Sequence, residues 1–146
     1  MRIKKGLWII PGILLLMQLI RIDKSSPPID PSVDFEPVVK PPEDVMEILK
    51  SACYNCHSNE TRYPWYSNVA PVSWWLKHHV NEAREHFDFS TLGQFKGAQL
   101  AEILADASEV VESGEMPLKS YTWMHPEARL STEQRNRLVQ WMRDGR

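Results

Sequence analysis

The chain has 146 residues, 42% of them hydrophobic and 25% charged, with 17 basic and 19 acidic side chains for a net charge of −2. That length accommodates one domain with accessories, and that balance excludes wholesale disorder. Its only cysteines, Cys53 and Cys56, leave no thiol for a disulfide elsewhere and no second pair for a four-thiolate zinc site.

Residues 1–22 read as a targeting segment. Arg2, Lys4 and Lys5 precede an apolar run of 14 residues from Leu7 to Ile20, which suits a signal core and is short for a membrane span. No small-x-small cleavage pattern follows; the chain continues Arg21-Ile22-Asp23-Lys24. The expectation is an uncleaved signal-anchor, a single helix over residues 3–22 with snorkelling ends, and a cleaved signal is the alternative. Either exports the remainder to the periplasmic side of the cytoplasmic membrane.

Residues 23–42 read as a linker, with prolines at 27, 28, 31, 37, 41 and 42. Proline withholds a donor and fixes φ, so helix and sheet are not expected here, and the extended chain would reach at most about 60 Å. It is a spacer or a tether that lets the following domain sample a partner.

Residues 43–146 read as helices and loops. Val45, Ile48 and Leu49 have helical spacing over Glu43–Ala52, with acids in the first turn. That helix leads directly into Cys53-Tyr54-Asn55-Cys56-His57, the C-x-x-C-H signature of covalent haem attachment. The two thiols add across the vinyl groups as thioethers, and the adjacent imidazole becomes the proximal iron ligand. Arg62, Trp65 and Tyr66 follow closely; aromatic faces can wall a macrocycle, and Arg62 is a candidate partner for its propionates.

Pro71 is placed to open a helix to about Phe87 that carries Trp74, Trp75, His78 and His79. Another is expected from about Leu92 to Ser113, with an apolar stripe of Leu100, Ile103, Leu104, Ala107, Val110 and Val111, ending at Gly114. A last helix begins at Ser131, with Gln134 completing a capping box, and carries Leu138, Trp141 and Met142 on one face. No segment alternates as a strand does. The fold class expected is all-α, a cytochrome c-like helical domain in which the first and last helices cross beside one haem c.

Gly114-Glu115-Met116-Pro117 supplies a candidate sixth ligand: the helix stops, the chain turns back, and Pro117 restrains the backbone just after Met116. Methionine is also a common core filler, and Met124 lies nearby without that context. His78, His79 and His125 are the alternative distal ligands; His86 reads as solvated.

Taken together these residues resemble the bacterial haem-binding domain family of small monohaem c-type cytochromes. The resemblance rests on Cys53–Asn59, Thr61–Tyr66, Ala70–Trp75, Gly114–Pro117, Tyr121, His125–Ser131 and the Trp141 helix. It covers about residues 40–145 and implies haem binding and electron transfer, and Leu118 departs from the commoner Met-Pro-Pro loop.

Without residues 1–22 the chain has 13 basic and 19 acidic side chains, a net of −6. Nucleic acid is not an expected partner, whereas a basic patch on a redox protein would be steered toward this domain. An electron carrier, not an enzyme, is the leading expectation. The alternative is a peroxidase-like or gas-binding haem protein with an open distal site, although no catalytic Arg–His pair is evident. Thiol–disulfide exchange or zinc on Cys53, Cys56 and His57 is a third reading, against which the missing βαβ pattern counts.

Overall fold

The computed structural model describes residues 8–144. Among them every regular element is helical and there is no strand. In order they are α1 (Ile9–Met17), α2 (Phe35–Val39), α3 (Glu43–Ala52), α4 (Tyr54–His57), a 3-10 turn (Trp65–Asn68), α5 (Val72–His86), α6 (Phe89–Leu92), α7 (Ala98–Glu112), α8 (Lys119–Met124), a 3-10 turn (Pro126–Ala128) and α9 (Thr132–Asp144).

The core follows from the apolar stripes. Val45 and Leu49 of α3 and Leu138 of α9 are fully buried, and Trp141 and Met142 join them. The first and last helices of the domain thus share one core, as their spacing predicts, and Arg137 on α9 pairs with Asp44 on α3 at its edge (2.5 Å). The longer partner of α9 is α7, which contributes Leu104, Ala107 and Val111. The capping box forms: Ser131 N–H donates to Gln134 Oε1 (2.9 Å) and Gln134 N–H to Ser131 Oγ (3.1 Å).

Three expectations require correction. The helix placed over residues 92–113 begins only at Ala98, and α6 stands apart from it. Gly93 makes the break: its N–H donates to Val33 O (2.8 Å), and a Cβ there would lie 2.6 Å from that oxygen. Only glycine allows the two backbones so close.

The second correction concerns the proline-rich segment, which is not merely extended. It forms α2, with Pro37 in the first turn where an amide hydrogen has no helical acceptor. Phe35 is fully buried against Phe89 (centroids 5.1 Å apart) and Trp141 (6.1 Å, edge-on). An aromatic side chain, rather than the proline count, decides where this stretch lies.

The third concerns the N-terminus. Residues 3–7 of the expected anchor fall outside the described residues. Of the rest, α1 ends at Met17, and among the described residues no helix is long and apolar enough to cross a membrane. Beyond α1 the chain is turned onto the domain by polar bonds. The Gln18 amide donates to Ala70 O (3.0 Å) and accepts from Ala70 N–H (2.9 Å), and the Trp74 indole N–H donates to Ile20 O (2.9 Å).

Candidate functional site

Helix α3 stops at Cys53, whose backbone (φ −120°, ψ −41°) bends the chain before the single turn of α4. Within that turn Cys56 N–H (3.1 Å) and His57 N–H (3.0 Å) both donate to Cys53 O. The positions between the thiols brace it. Tyr54 is buried and stacks on Phe89 (4.6 Å, 14°), while Asn55 donates to Tyr121 Oη (2.7 Å). Ser58 Oγ donates to Tyr54 O (2.8 Å), and Arg84 holds Ser58 O (3.0 Å) and Thr61 Oγ1 (2.9 Å).

This turn faces a mostly apolar cleft with two lobes. A lobe of about 400 Å³ contains Cys53, Phe87, Phe89, Ile103, Val110 and Met142 in its wall. A lobe of about 260 Å³ contains Cys56, His79, Ala83, Leu118 and Tyr121. Each thiol therefore opens into its own lobe, while Ala52, His57, His86, Met116 and Pro117 line both. The volumes fall at the lower end of, or just below, the ~300–1,000 Å³ of small-molecule sites.

His57 is oriented from behind. Its Nδ1 lies 3.2 Å from Phe87 O, and its ring stacks on Phe87 (4.4 Å, 17°). A carbonyl only accepts, so Nδ1 carries the hydrogen and Nε2 keeps its lone pair, the tautomer a metal-ligating histidine needs. Burial pushes the imidazole pKa below its ordinary value, which keeps the ring neutral. Burial and then the neighbouring Cys56 push the Cys53 thiol up to about 12. Burial raises Cys56 as well, partly offset by the Arg84 charge. Both cysteines are thus un-ionised thiols at neutral pH.

Met116 is held in the cleft by its backbone. Gly114 takes a positive φ of 79° after α7, and Met116 N–H donates back to Val110 O (3.0 Å). Arg135 of α9 donates through Nη1 to both Met116 O (3.3 Å) and Val111 O. The side chain is half-buried, facing the same space as His57.

The remaining candidates separate. Of the three alternative distal histidines, His79 reaches the Cys56 lobe, with Nδ1 against Trp75 O (2.9 Å). His78 is solvated beside Glu82 (3.8 Å). His125 has both ring nitrogens engaged, Nε2 with Tyr66 Oη (2.8 Å) and Nδ1 with Glu127 Oε1 (2.9 Å). Arg62, Trp65 and Tyr66 line neither lobe. The chain turns at Pro64 into the 3-10 turn that packs against α5, leaving Trp65 72% exposed and Arg62 in solvent.

His86 is exposed, as its sequence context predicts, yet it lines both lobes. The signal was its seven-residue spacing from His79, which puts both on one face of α5. Asp106 and Glu115 border the Cys53 lobe and Glu82 the Cys56 lobe, and among the described residues no Lys or Arg lines either. The cleft edge is acidic.

No curated protein and no solved structure matches the chain. The model of the haem-binding domain family matches residues 12–144, and the chain belongs to that family. The donor set fits the group that the family name states: two thiols in separate lobes, a neutral imidazole with a free Nε2, and a thioether in one apolar cleft.

Proposed function

We propose that this protein is a monohaem c-type cytochrome, one haem c per chain, carrying single electrons on the periplasmic side of the cytoplasmic membrane. One observation carries this reading: His57 and Met116 each line both lobes of a cleft whose separate lobes hold Cys53 and Cys56. Cys53 and Cys56 are the residues to bond the porphyrin, His57 the proximal ligand and Met116 the distal one. When bound, haem iron would supply a one-electron couple, whose potential a methionine ligand would raise relative to a second histidine.

The chain's own residues prepare that site. Phe87 O fixes the His57 tautomer, Arg135 and Gly114 hold the Met116 backbone, and Phe87, Phe89, Ile103 and Val110 exclude water. The reducing haem-attachment chemistry that C-x-x-C-H requires operates outside the cytoplasmic membrane, in keeping with the basic and apolar N-terminus. A redox protein with a basic docking patch is the partner that the net charge favours.

The test is the full chain produced in a host that attaches haem during export. Colour should survive denaturing electrophoresis and be lost in a Cys53→Ala/Cys56→Ala variant, and the native spectrum should be six-coordinate and low-spin. Met116→Ala should open the iron to carbon monoxide and lower its potential. Absence of covalent haem would sink the proposal; a five-coordinate, high-spin native spectrum would favour a haem enzyme or gas sensor instead.

A further inference from the structure

The N-terminal segment and the stretch of the domain to which it is hydrogen-bonded both expose large apolar side chains. Every described side chain of α1 is without a buried position, and Ile9, Ile10, Leu15 and Leu16 are at least 60% exposed. A helix that is apolar all round requires an apolar surrounding. With nine residues it is about 14 Å long, roughly half a bilayer's ~30 Å hydrocarbon core, so it suits burial in the interfacial layer more than crossing.

Its exit is fixed to the domain by the Gln18–Ala70 pair, the Trp74–Ile20 bond and Lys24 Nζ on Asn68 Oδ1 (2.6 Å). Around that seam the domain exposes large apolar side chains: Trp65 (72%), Val69 (43%), Val72 (43%) and Trp75 (44%). Val69 and Val72 flank Ala70 in sequence, Trp65 lies four residues before Val69, and Trp75 one helical turn after Val72. Tryptophan is enriched where a polar headgroup layer meets hydrocarbon. The cations adjoining this face, Arg21 and Lys24 (with Asp23 between them), and Arg2, Lys4 and Lys5 of the sequence stand against a domain whose net charge is −6. They match anionic headgroups.

We propose that the domain seats directly on an anionic lipid surface through the face bearing Trp65, Val69, Val72 and Trp75, with α1 laid into the same layer. This inference rests on the membrane-side location given under the proposed function. It replaces a tethered, freely sampling domain with one of fixed orientation. Trp75 packs against His79 (ring centroids 4.2 Å apart, planes tilted by 46°), a wall of the Cys56 lobe, so that lobe lies close to the lipid.

The test uses the haem-loaded full chain with vesicles of phosphatidylcholine and phosphatidylglycerol, read by co-sedimentation and by hydroxyl-radical footprinting. The protein should pellet, and oxidation of Trp65 and Trp75 should fall several-fold when vesicles are added. Trp65→Gln/Val72→Gln should partition roughly tenfold more weakly with an unchanged haem spectrum. Pelleting with undiminished oxidation, or equal partition of the variant, overturns the seating and leaves the membrane-side reading intact. A chain that does not pellet overturns the seating, while the covalent-haem and spectral tests decide the cytochrome reading on their own. Protection already present in a vesicle-free dimer assigns the face to a second copy and likewise overturns the proposal.

Discussion

Replacing Phe35 by alanine asks whether the proline-rich segment belongs to the fold. In a free spacer the substitution would fall within about ±0.5 kcal/mol, the usual range for exposed positions. Phe35 is instead 0% exposed, and a buried Phe→Ala change costs about 3–5 kcal/mol from lost transfer energy and the cavity left behind. Its ring also meets Phe89 at 5.1 Å and 60° and Trp141 at 6.1 Å and 90°, geometries worth about 0.5–1.5 kcal/mol per aromatic pair beyond area. The measured Phe→Ala range already contains those pair contributions, so the expected loss is about 4 kcal/mol, a large share of a domain stability of ~5–15 kcal/mol. Urea denaturation of the haem-loaded protein, followed by far-ultraviolet circular dichroism, should show a lower midpoint at unchanged slope. Val38→Ala, at a position on α2 that is 37% exposed, should move the midpoint little. A Phe35→Ala loss below about 1 kcal/mol would refute the docking of α2.

Gly114→Ala should cost about 1–2 kcal/mol in the same assay, because φ is 79° there although the space around it is open. Burial and the nearby Glu60 raise the Asp34 pKa, so its contribution is favourable below the unfolded value near ~4 and is lost as pH rises through the folded one. Asp34→Asn should therefore match the parent at pH ~3 and exceed it in stability at pH ~7, and equal stability at both would contradict the burial argument. Glu115 borders the cleft, and among the described residues no Lys or Arg lines it. Glu115→Gln should raise the midpoint potential by about 40 mV, the equivalent of ~1 kcal/mol for one charge at an effective dielectric near 20–40, measured by spectroelectrochemistry.

The helices with clear 3.6-residue stripes were legible because burial of one face fixes both their existence and their phase. α3 has the expected bounds, α5 lies within one residue of them at each end, and α9 carries its capping box. What failed were places where a tertiary contact overrides a local signal. Gly93 spends its amide on Val33, and Phe35 pulls a proline-rich stretch into the core. The same division holds at the site. Cys53, Cys56 and His57 converge because one helical turn joins them, a property of spacing alone. Arg62, Trp65 and Tyr66 are near the thiols in sequence and suited in chemical type, but neither property fixes the direction that the chain takes after Pro64. His86 needed the rotational phase of α5, which its apolar pattern defines less sharply than its own spacing from His79 does.

Fold and site also share their supports. α3 delivers Cys53 and crosses α9; α9 packs along α7, and α7 runs into the Met116 loop. Through Arg135, α9 holds the carbonyls of Val111 and Met116 directly, and through Arg143 it grips Glu112 (2.5 Å) and Ser108 (3.1 Å) of α7. The segment bearing the thiols and the loop bearing the sulfur are thus positioned by one helix that contributes only Met142 to the cleft. Loosening α9 must displace both sides of the cleft together, since packed interiors transmit strain instead of absorbing it. Core packing in α9 therefore helps set where the His57 and Met116 side chains lie in the cleft, and a substitution such as Trp141→Ala would shift them as well as lower stability.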